Sequence, residues 1–247
     1  RQSERSHRIS MRLHAELANC DGTRMSIARL GTLLVQVGSI GDGHAYLARA
    51  ASLECPALIA SARREATAGM SRDASAEPIE SLPPSRGARV VEQDGAPCTG
   101  LPAPETLSEQ GKLAVFHALL GMRDAFELES NPAEAERCLH AARDYASTDR
   151  TRLRLANAEG AFFLERDEPA QAIASFERGL ALADGAKLAA SHEHRSLSYL
   201  GLARSALLAG EPEIARQHAR RSLALGSARA DVGQVVEALE LMARSFD

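Results

Sequence analysis

Tryptophan is absent from the sequence, and aromatic residues make up only 4% of it. With so few large flat side chains, a core has to be packed from alanine and leucine, which favours closely spaced helices over a sheet sandwich. The alternation of apolar and polar residues that is typical of strands is almost absent. We therefore predict an all-α protein. Its 247 residues and 45% hydrophobic content are enough for a sizeable core in one or two domains.

Long apolar runs are also lacking, and none approaches the ~20 residues that a bilayer span requires. The net charge of −4 argues against a general nucleic-acid surface. No signal-peptide pattern is present, and the first residue is Arg1 rather than Met, so we expect a part of a longer protein. The four cysteines are scattered without a C-x-x-C pair, which predicts reduced thiols in the cytoplasm.

Reactive motifs are missing as well. His192 and His194 lie two residues apart, as do Cys138 and His140, and such pairs point to different faces of a helix. We predict no metal site and no cofactor. There is no G-x-S-x-G elbow and no local cysteine-nucleophile signature, so we predict that the protein is not an enzyme.

The most informative stretch runs from 153 to 182 and predicts two one-faced helices joined at Asp167-Glu168-Pro169. Pro169 suits the first turn of the second helix because its φ is preset and it lacks an amide donor. A small residue on each helix lets the backbones approach, and a large one fills the space beside them. The small residues are Gly160 and Ala172, and the large ones are Phe163 and Phe176.

This pattern recurs. Pro132, Pro169 and Pro212 each stand three residues before an alanine, and these marker alanines, Ala135, Ala172 and Ala215, are spaced by 37 and 43 residues. An interior residue follows each marker at +4 and a small one at +7: Leu139 and Ala142, Phe176 and Gly179, Ala219 and Ser222. An earlier copy without the proline has Gly31 on its first helix, followed by Gly43, Leu47 and Ala50. Periods of this length are typical of stacked helix pairs.

These segments, about 24–57 and 112–226, resemble tetratricopeptide (TPR) repeats. They depart from the family pattern in having no tryptophan, and in having Arg123 where the second copy should carry a small residue. The resemblance implies antiparallel helix pairs stacked as a right-handed α-solenoid. The spacing and the C-terminal stretch also resemble TPR-like regions of bacterial signalling ATPases and of maltose-regulator-like transcription factors.

Between Ser71 and Glu109 the chain carries six of its ten prolines, so no long helix is expected there. We predict three parts: an N-terminal helix with the first TPR-like pairs at 1–70, a Pro-rich flexible linker at 71–107, and a TPR-like array with a C-terminal capping helix at 108–247. A functional lid is the alternative for the Pro-rich segment. Its exposed backbone should be the first site of mild proteolysis.

Two N-terminal features have plain interpretations. Residues 1–19 form a basic helix with Ile9, Leu13 and Leu17 on one stripe, and we expect the stripe to pack on the first repeat. Contact with nucleic acid or an acidic partner is the alternative. The run from Gly38 to His44 predicts a glycine-rich turn rather than a phosphate loop, because it follows a helix and lacks the Lys-Ser/Thr ending.

TPR proteins line a concave groove with residues of the first helix of each pair, and the resemblance implies which residues these are here. Arg154 and Arg204 would donate to carboxylates, Asn157 would pair with peptide backbone, and leucines would give apolar contact. The alternative to a binding groove is that the leucines are buried against neighbouring helices and that Arg204 is solvated. The implied groove residues are His117, Asp124, Arg154, Asn157, Leu164, Leu197, Leu200 and Arg204.

We therefore expect a non-enzymatic scaffold that binds a protein or peptide partner and belongs to a larger cytoplasmic bacterial regulator of signalling or transcription. Membrane and nucleic-acid partners are not expected, and a homo-oligomer remains open. The runner-up is a ligand-sensing domain that binds a small molecule between repeats. A more distant alternative is an enzyme that uses the Pro-rich segment as a lid.

Overall fold

The computed structural model describes residues 2–73, 98–185, 192–229 and 232–246. Over these ranges the chain forms eleven α-helices, one 3-10 helix at Pro104–Thr106 and no strand, so the all-α prediction is confirmed. None of these helices is both long and apolar enough to cross a membrane. The α-helices are α1 (Gln2–Glu16), α2 (Cys20–Gln36), α3 (Ile40–Ser52), α4 (Cys55–Asp73), α5 (Glu109–Leu128), α6 (Pro132–Tyr145), α7 (Asp149–Glu165), α8 (Pro169–Gly185), α9 (His192–Leu208), α10 (Pro212–Arg229) and α11 (Val232–Arg244).

The chain divides into two compact units, unit 1 at Arg1–Tyr145 and unit 2 at Ala146–Asp247. This division differs from the predicted boundary after residue 107. The reason is that α5 packs on α2 and α3 and so belongs with the N-terminal helices. Each unit is described by itself below.

Helix α1 ends with a positive φ at Ala18 and a bond from the Asn19 amide to the His14 carbonyl oxygen, and four later helix pairs turn in the same way: α2/α3, α5/α6, α7/α8 and α9/α10. In each turn one residue has a positive φ, at Gly38, Ser130, Asp167 and Gly210. The amide of the following residue donates to the carbonyl five positions earlier, from Ser39 to Leu34, Asn131 to Phe126, Glu168 to Phe163 and Glu211 to Ala206. This is the Schellman ending of a helix, which satisfies carbonyls that the helix leaves unpaired. The last three positive-φ residues are spaced by 37 and 43, as the marker alanines are.

The helices begin where the sequence predicts. Pro132, Pro169 and Pro212 are the first residues of α6, α8 and α10. The predicted glycine turn at 38–44 is too long, because α3 already begins at Ile40. Gly43 therefore lies inside α3, where an added Cβ would be 2.9 Å from the Val35 nitrogen and from the Gly31 carbonyl oxygen. Its role is to let α2 and α3 approach.

One packing device occurs in both units. Leu47 follows Gly31 by 16 residues, and Phe176 follows Gly160 by the same 16. A Cβ built on Gly31 would lie 2.7 Å from Leu47, and one on Gly160 would lie 2.6 Å from the Phe176 ring. Each large side chain also reaches a glycine on the first helix of the next pair, Gly121 for Leu47 and Gly201 for Phe176. A second-helix side chain is thus inserted between two first helices.

The expected packing of the α1 stripe is wrong. Ile9, Leu13 and Leu17 are 51%, 53% and 77% exposed, whereas Met11 and Ala15 are buried. Helix α1 packs on α2 and α4 through the side that carries Met11 and Ala15. The spacing of the larger apolar residues identified a stripe correctly, but it did not identify the side on which the neighbouring helices lie.

Two arginines cap helix ends in unit 1. Arg24 is 1% exposed and donates to the carbonyl oxygens of Ala50 and Leu53 (2.7 Å to Leu53) at the end of α3. Arg63 on α4 donates 2.9 Å to the carbonyl oxygen of Ala15 near the end of α1. Cationic donors suit these positions, because the C-terminal end of a helix carries unpaired carbonyls and partial negative charge. Burial lowers the pKa of Arg24.

Most of the predicted flexible linker, residues 74–97, lies outside the described residues, and so does most of the predicted proteolytic site. Residues 98–107 are described, and they are fastened to unit 1. The Tyr145 hydroxyl donates 2.6 Å to the carbonyl oxygen of Pro102, and Ser108 caps α5 by accepting from the Gly111 amide at 3.0 Å.

All four cysteines are paired, which corrects the prediction of reduced thiols. Cys20 is bonded to Cys55 and Cys98 to Cys138, with Cα–Cα distances of 5.6 and 5.2 Å. Both distances fall within the usual range for disulfides. Scattered positions in the sequence gave no sign of pairing, because each bond joins segments that only the helix packing brings together.

Candidate functional site

In unit 2 the predicted groove residues lie on α7 and α9. Arg154 and Leu164 on α7 are half-buried, and Leu197 on α9 is 38% exposed. Leu164 packs against the cluster formed by Ala172, Phe176 and Leu202 while part of its surface stays accessible. These residues include both partly exposed leucines and a guanidinium group, side chains of the kind that contact an amphipathic segment.

The structure gives Asn157 a different role from the predicted one. Its Nδ2 donates to the His194 carbonyl oxygen at 2.8 Å, and its Oδ1 accepts from Ser198 Oγ at 2.6 Å. Gly179 lies close by, since an added Cβ there would be 3.3 Å from Asn157 Oδ1. The Asn157 amide thus joins α7 to α9 instead of being open to peptide backbone.

Buried serines at the helix contacts of unit 2 were missed by sequence reasoning. Ser196 and Ser222 are fully buried, and their hydroxyls lie 2.8 Å apart, joining α9 to α10. Ser198, two residues after Ser196, faces Asn157 on α7 instead. The sequence did contain one indication of these serines: Ser222 occupies the small-residue position that lies seven residues after the marker alanine. A hydroxyl at such a position can bond across a close helix contact.

Leu200 is a core residue, which corrects its assignment to the groove. It is 2% exposed and packs with Ala203, Ala219, Ala238 and Leu241. Leu197, three residues earlier, remains at the surface. Of the predicted leucines on α9, only Leu197 can therefore contact a partner directly.

Arg204 lies at the surface but already has an anion. Its Nη2 lies 2.6 Å from Glu237 Oε1 on α11, and the arginine side chain is 54% exposed. An exposed pair of this kind contributes little to stability. A carboxylate of a partner could replace Glu237 at low cost, so the position still suits the recognition of an acidic segment.

In unit 1 the two predicted groove residues are both on α5. His117 is half-buried with its ring 6.1 Å from that of Phe116. Asp124 Oδ1 is 2.9 Å from Arg123 Nη2, while Arg123 Nη1 contacts Glu127 at 2.7 Å. Arg123 occupies the position where the TPR pattern expects a small residue. Two carboxylates of its own helix neutralise it there, and Asp124 is engaged in that pairing.

A polar cluster on the α8, α9 and α10 side of unit 2 has a titratable centre. His218 on α10 stacks on Tyr199 of α9 with ring centroids 6.0 Å apart, and the Arg221 guanidinium lies 5.7 Å from the Tyr199 ring. Burial lowers the pKa of His218, the Arg221 charge lowers it further, and Glu177 on α8 acts in the opposite direction. The folded chain therefore favours neutral imidazole.

This lowered pKa predicts a stability change in acid. The unfolded chain binds a proton on His218 near the ordinary value of 6.5, before the folded chain does. Stability should therefore be complete above about pH 6.5 and should fall as the pH drops through the lower, folded pKa. Replacing His218 by Phe keeps the stacking and removes the proton. Urea midpoints measured from pH 7.5 to 5 should fall less in H218F than in wild type. The exposed His140→Gln serves as control, and equal pH slopes for all three proteins would contradict the assignment.

Among the described residues, no group of three or more histidine, cysteine, aspartate or glutamate side chains is placed to hold a metal ion. Two residue pairs were considered as metal ligands from the sequence. In the first, the side chains of His192 and Glu193 are outside the described part of the structure, and in the second, Cys138 is in a disulfide.

Compared with family models, with curated proteins and with solved structures, the chain matches none of them.

Proposed function

We propose that the chain is a non-enzymatic, TPR-like helical-repeat scaffold that binds a segment of a protein partner. The observation that carries this proposal is the recurrence of one hairpin turn along the chain; in the three pairs that have a marker alanine, the amide four residues before the marker makes the turn bond. Proteins built of such pairs expose extended surfaces on their first helices. A right-handed solenoid is part of the proposal.

The binding surface in this proposal is the α7/α9 stripe, defined as Arg154, Leu164, Leu197 and Arg204. The leucines provide apolar contact, and the arginines provide donors for acidic groups of the partner. Asn157 and Leu200 are left out because one joins two helices and the other is in the core. A place in a larger bacterial regulator and the capacity to form homo-oligomers stay predictions. The predicted cytoplasmic location is disfavoured by the two disulfides.

A displayed library of short peptides, selected on the purified chain, supplies the probe for a test. The selected peptide is then titrated against wild type, Arg154→Ala, Arg204→Ala and the control Arg220→Ala, which removes an exposed arginine from α10. We expect each stripe variant to weaken binding by about 1–3 kcal/mol where the charge is desolvated, and the control to bind as wild type does.

Thermal melts separate binding from folding. Arg204→Ala and Arg220→Ala change exposed side chains and should melt close to wild type, because surface changes usually alter stability by less than ~0.5 kcal/mol. The melt of Arg154→Ala, whose side chain is half-buried, shows whether its fold is intact before its affinity is compared. If both stripe variants bind the selected peptide as tightly as wild type does, the α7/α9 stripe is not the binding site, and the peptide binds another face of the chain. Selection of no peptide, together with saturable binding of a small molecule, would favour the ligand-sensing alternative.

A further inference from the structure

Both disulfides are in unit 1, and the Cys20–Cys55 bond lies beside the buried Arg24. Cys20 is the first residue of α2 and Cys55 the first residue of α4, so their bond joins two helix beginnings. Arg24, one turn after Cys20, donates 2.7 Å to the carbonyl oxygen of Leu53, two residues before Cys55. The bond therefore closes the junction at which Arg24 is buried.

The second bond fastens a strap, defined as residues 98–108. The bond between Cys98 and Cys138 attaches the first residue of the strap to α6. Tyr145 holds the strap at Pro102, 2.6 Å away, and the Ser108 hydroxyl bonds the Asp21 carboxylate on α2. Asp21 and Tyr145 both interact electrostatically with Arg24. The strap and the Arg24 junction therefore belong to one connected region.

Complete pairing of the cysteines indicates that the bonds belong to the working form of the protein. The partners are separated by 35 and 40 residues, and no cysteine is left free. Cysteines placed without regard to pairing would rarely all meet at bonding distance in a chain of 247 residues. Disulfides persist in oxidising compartments and are rare where glutathione and thioredoxin keep thiols reduced.

We propose that the two disulfides form a redox-sensitive lock on the Arg24 junction and the strap, closed in an oxidising compartment and opened by dithiol reductants. Closing requires a disulfide-bearing oxidant. A cysteine thiolate attacks that disulfide, and the thiolate of its partner cysteine then displaces the remaining sulfur of the oxidant. Each bond removes two electrons and two protons from two cysteine thiols, and the oxidant gains them as two thiols. A dithiol reverses the exchange and is itself oxidised.

Opening acts on the strap, because the Cys98–Cys138 bond attaches its first residue covalently to α6. Without the Cys98–Cys138 bond the strap keeps the hydrogen bonds of Tyr145 and Ser108, which water can replace. Its internal order is a single 3-10 turn, in which the amides of Thr106 and Leu107 donate 3.0 and 3.2 Å to the carbonyl oxygens of Ala103 and Pro104. These two amides report directly on whether the strap is held.

The test uses the full chain, exported to an oxidising compartment of the expression host and purified without reductant. Free thiols are alkylated, and peptides are mapped without reduction. We expect no alkylated cysteine and two linked peptide pairs, 20 with 55 and 98 with 138. Free thiols or other pairings would overturn the lock.

Hydrogen exchange then measures opening in the folded wild type, with and without a phosphine reductant. We expect the Thr106 and Leu107 amides to exchange about tenfold faster or more after reduction, while amides in α5 stay protected. The Cys98→Ser/Cys138→Ser double variant should exchange fast in both conditions. The Cys20→Ser/Cys55→Ser double variant keeps the strap bond and should respond to reductant as wild type does. Unchanged strap exchange in reduced wild type would overturn the proposal even if a variant fails to fold.

Discussion

Replacing Phe176 by alanine is expected to lower the free energy of unfolding of unit 2 by about 3–5 kcal/mol. The ring is 3% exposed and lies between Gly160 on α7 and Gly201 on α9. Truncation removes buried apolar surface and leaves a cavity between helices whose backbones are held by other contacts. Urea denaturation followed by circular dichroism measures the loss, and hydrogen exchange assigns it to unit 2.

The matched control is Ile214→Ala, which shortens a side chain that is 43% exposed on α10. Its cost should be well below that of Phe176→Ala, since little apolar surface returns to water and no cavity forms. Similar losses for the two variants would show that Phe176 does not fill a rigid socket.

A double-mutant cycle makes this test sharper. In wild type, Gly160→Ala places a Cβ 2.6 Å from the Phe176 ring and should destabilise by about 1–3 kcal/mol through overpacking. In the Phe176→Ala background the same change should be neutral or stabilising, because the cavity accepts the methyl group and alanine favours a helix by up to ~1 kcal/mol. Additive effects would contradict direct contact between the two positions.

The hairpins could be predicted from sequence because their determinants are local. A proline at the first helical position, the marker alanine three residues on and the interior residue at +4 all act within one turn or one helix pair. For Pro169, Ala172 and Phe176 these local rules and the structure agree. The positive φ at Asp167 follows from the same short connection.

What failed depends on contacts between distant segments. Nothing in the α1 pattern shows that the side with Met11 and Ala15 is the one that α2 and α4 cover. The pairing of Cys98 with Cys138 requires the chain to return to α6 after the Pro-rich stretch. Asn157 is polar and half-buried, which is equally typical of a groove residue and of a residue that bonds a neighbouring helix. Only the packing of α9 decides between them.

The same packing device makes a second large effect predictable, in unit 1. Leu47 is fully buried, and its side chain lies against the positions of Gly31 on α2 and Gly121 on α5, where added Cβ atoms would be 2.7 and 2.8 Å away. Replacing Leu47 by alanine should lower the free energy of unfolding of unit 1 by about 2–5 kcal/mol. The surface control on α5 is Leu128→Ala, since Leu128 is 61% exposed.

We expect Leu47→Ala to lie in the upper half of that range, because α2 and α3 cannot close the cavity. Their backbones already touch: the carbonyl oxygen of Gly31 would be 2.9 Å from a Cβ on Gly43. A cavity that cannot collapse costs more than one whose walls relax. Urea midpoints measure the loss of stability. Hydrogen exchange of the amides in α2 and α3, which lie outside the strap, assigns that loss to this helix pair. If Leu47→Ala costs no more than Leu128→Ala, while Phe176→Ala remains severe, the device is confined to unit 2, and the first helix pair is held chiefly by the Arg24 junction and the Cys20–Cys55 bond.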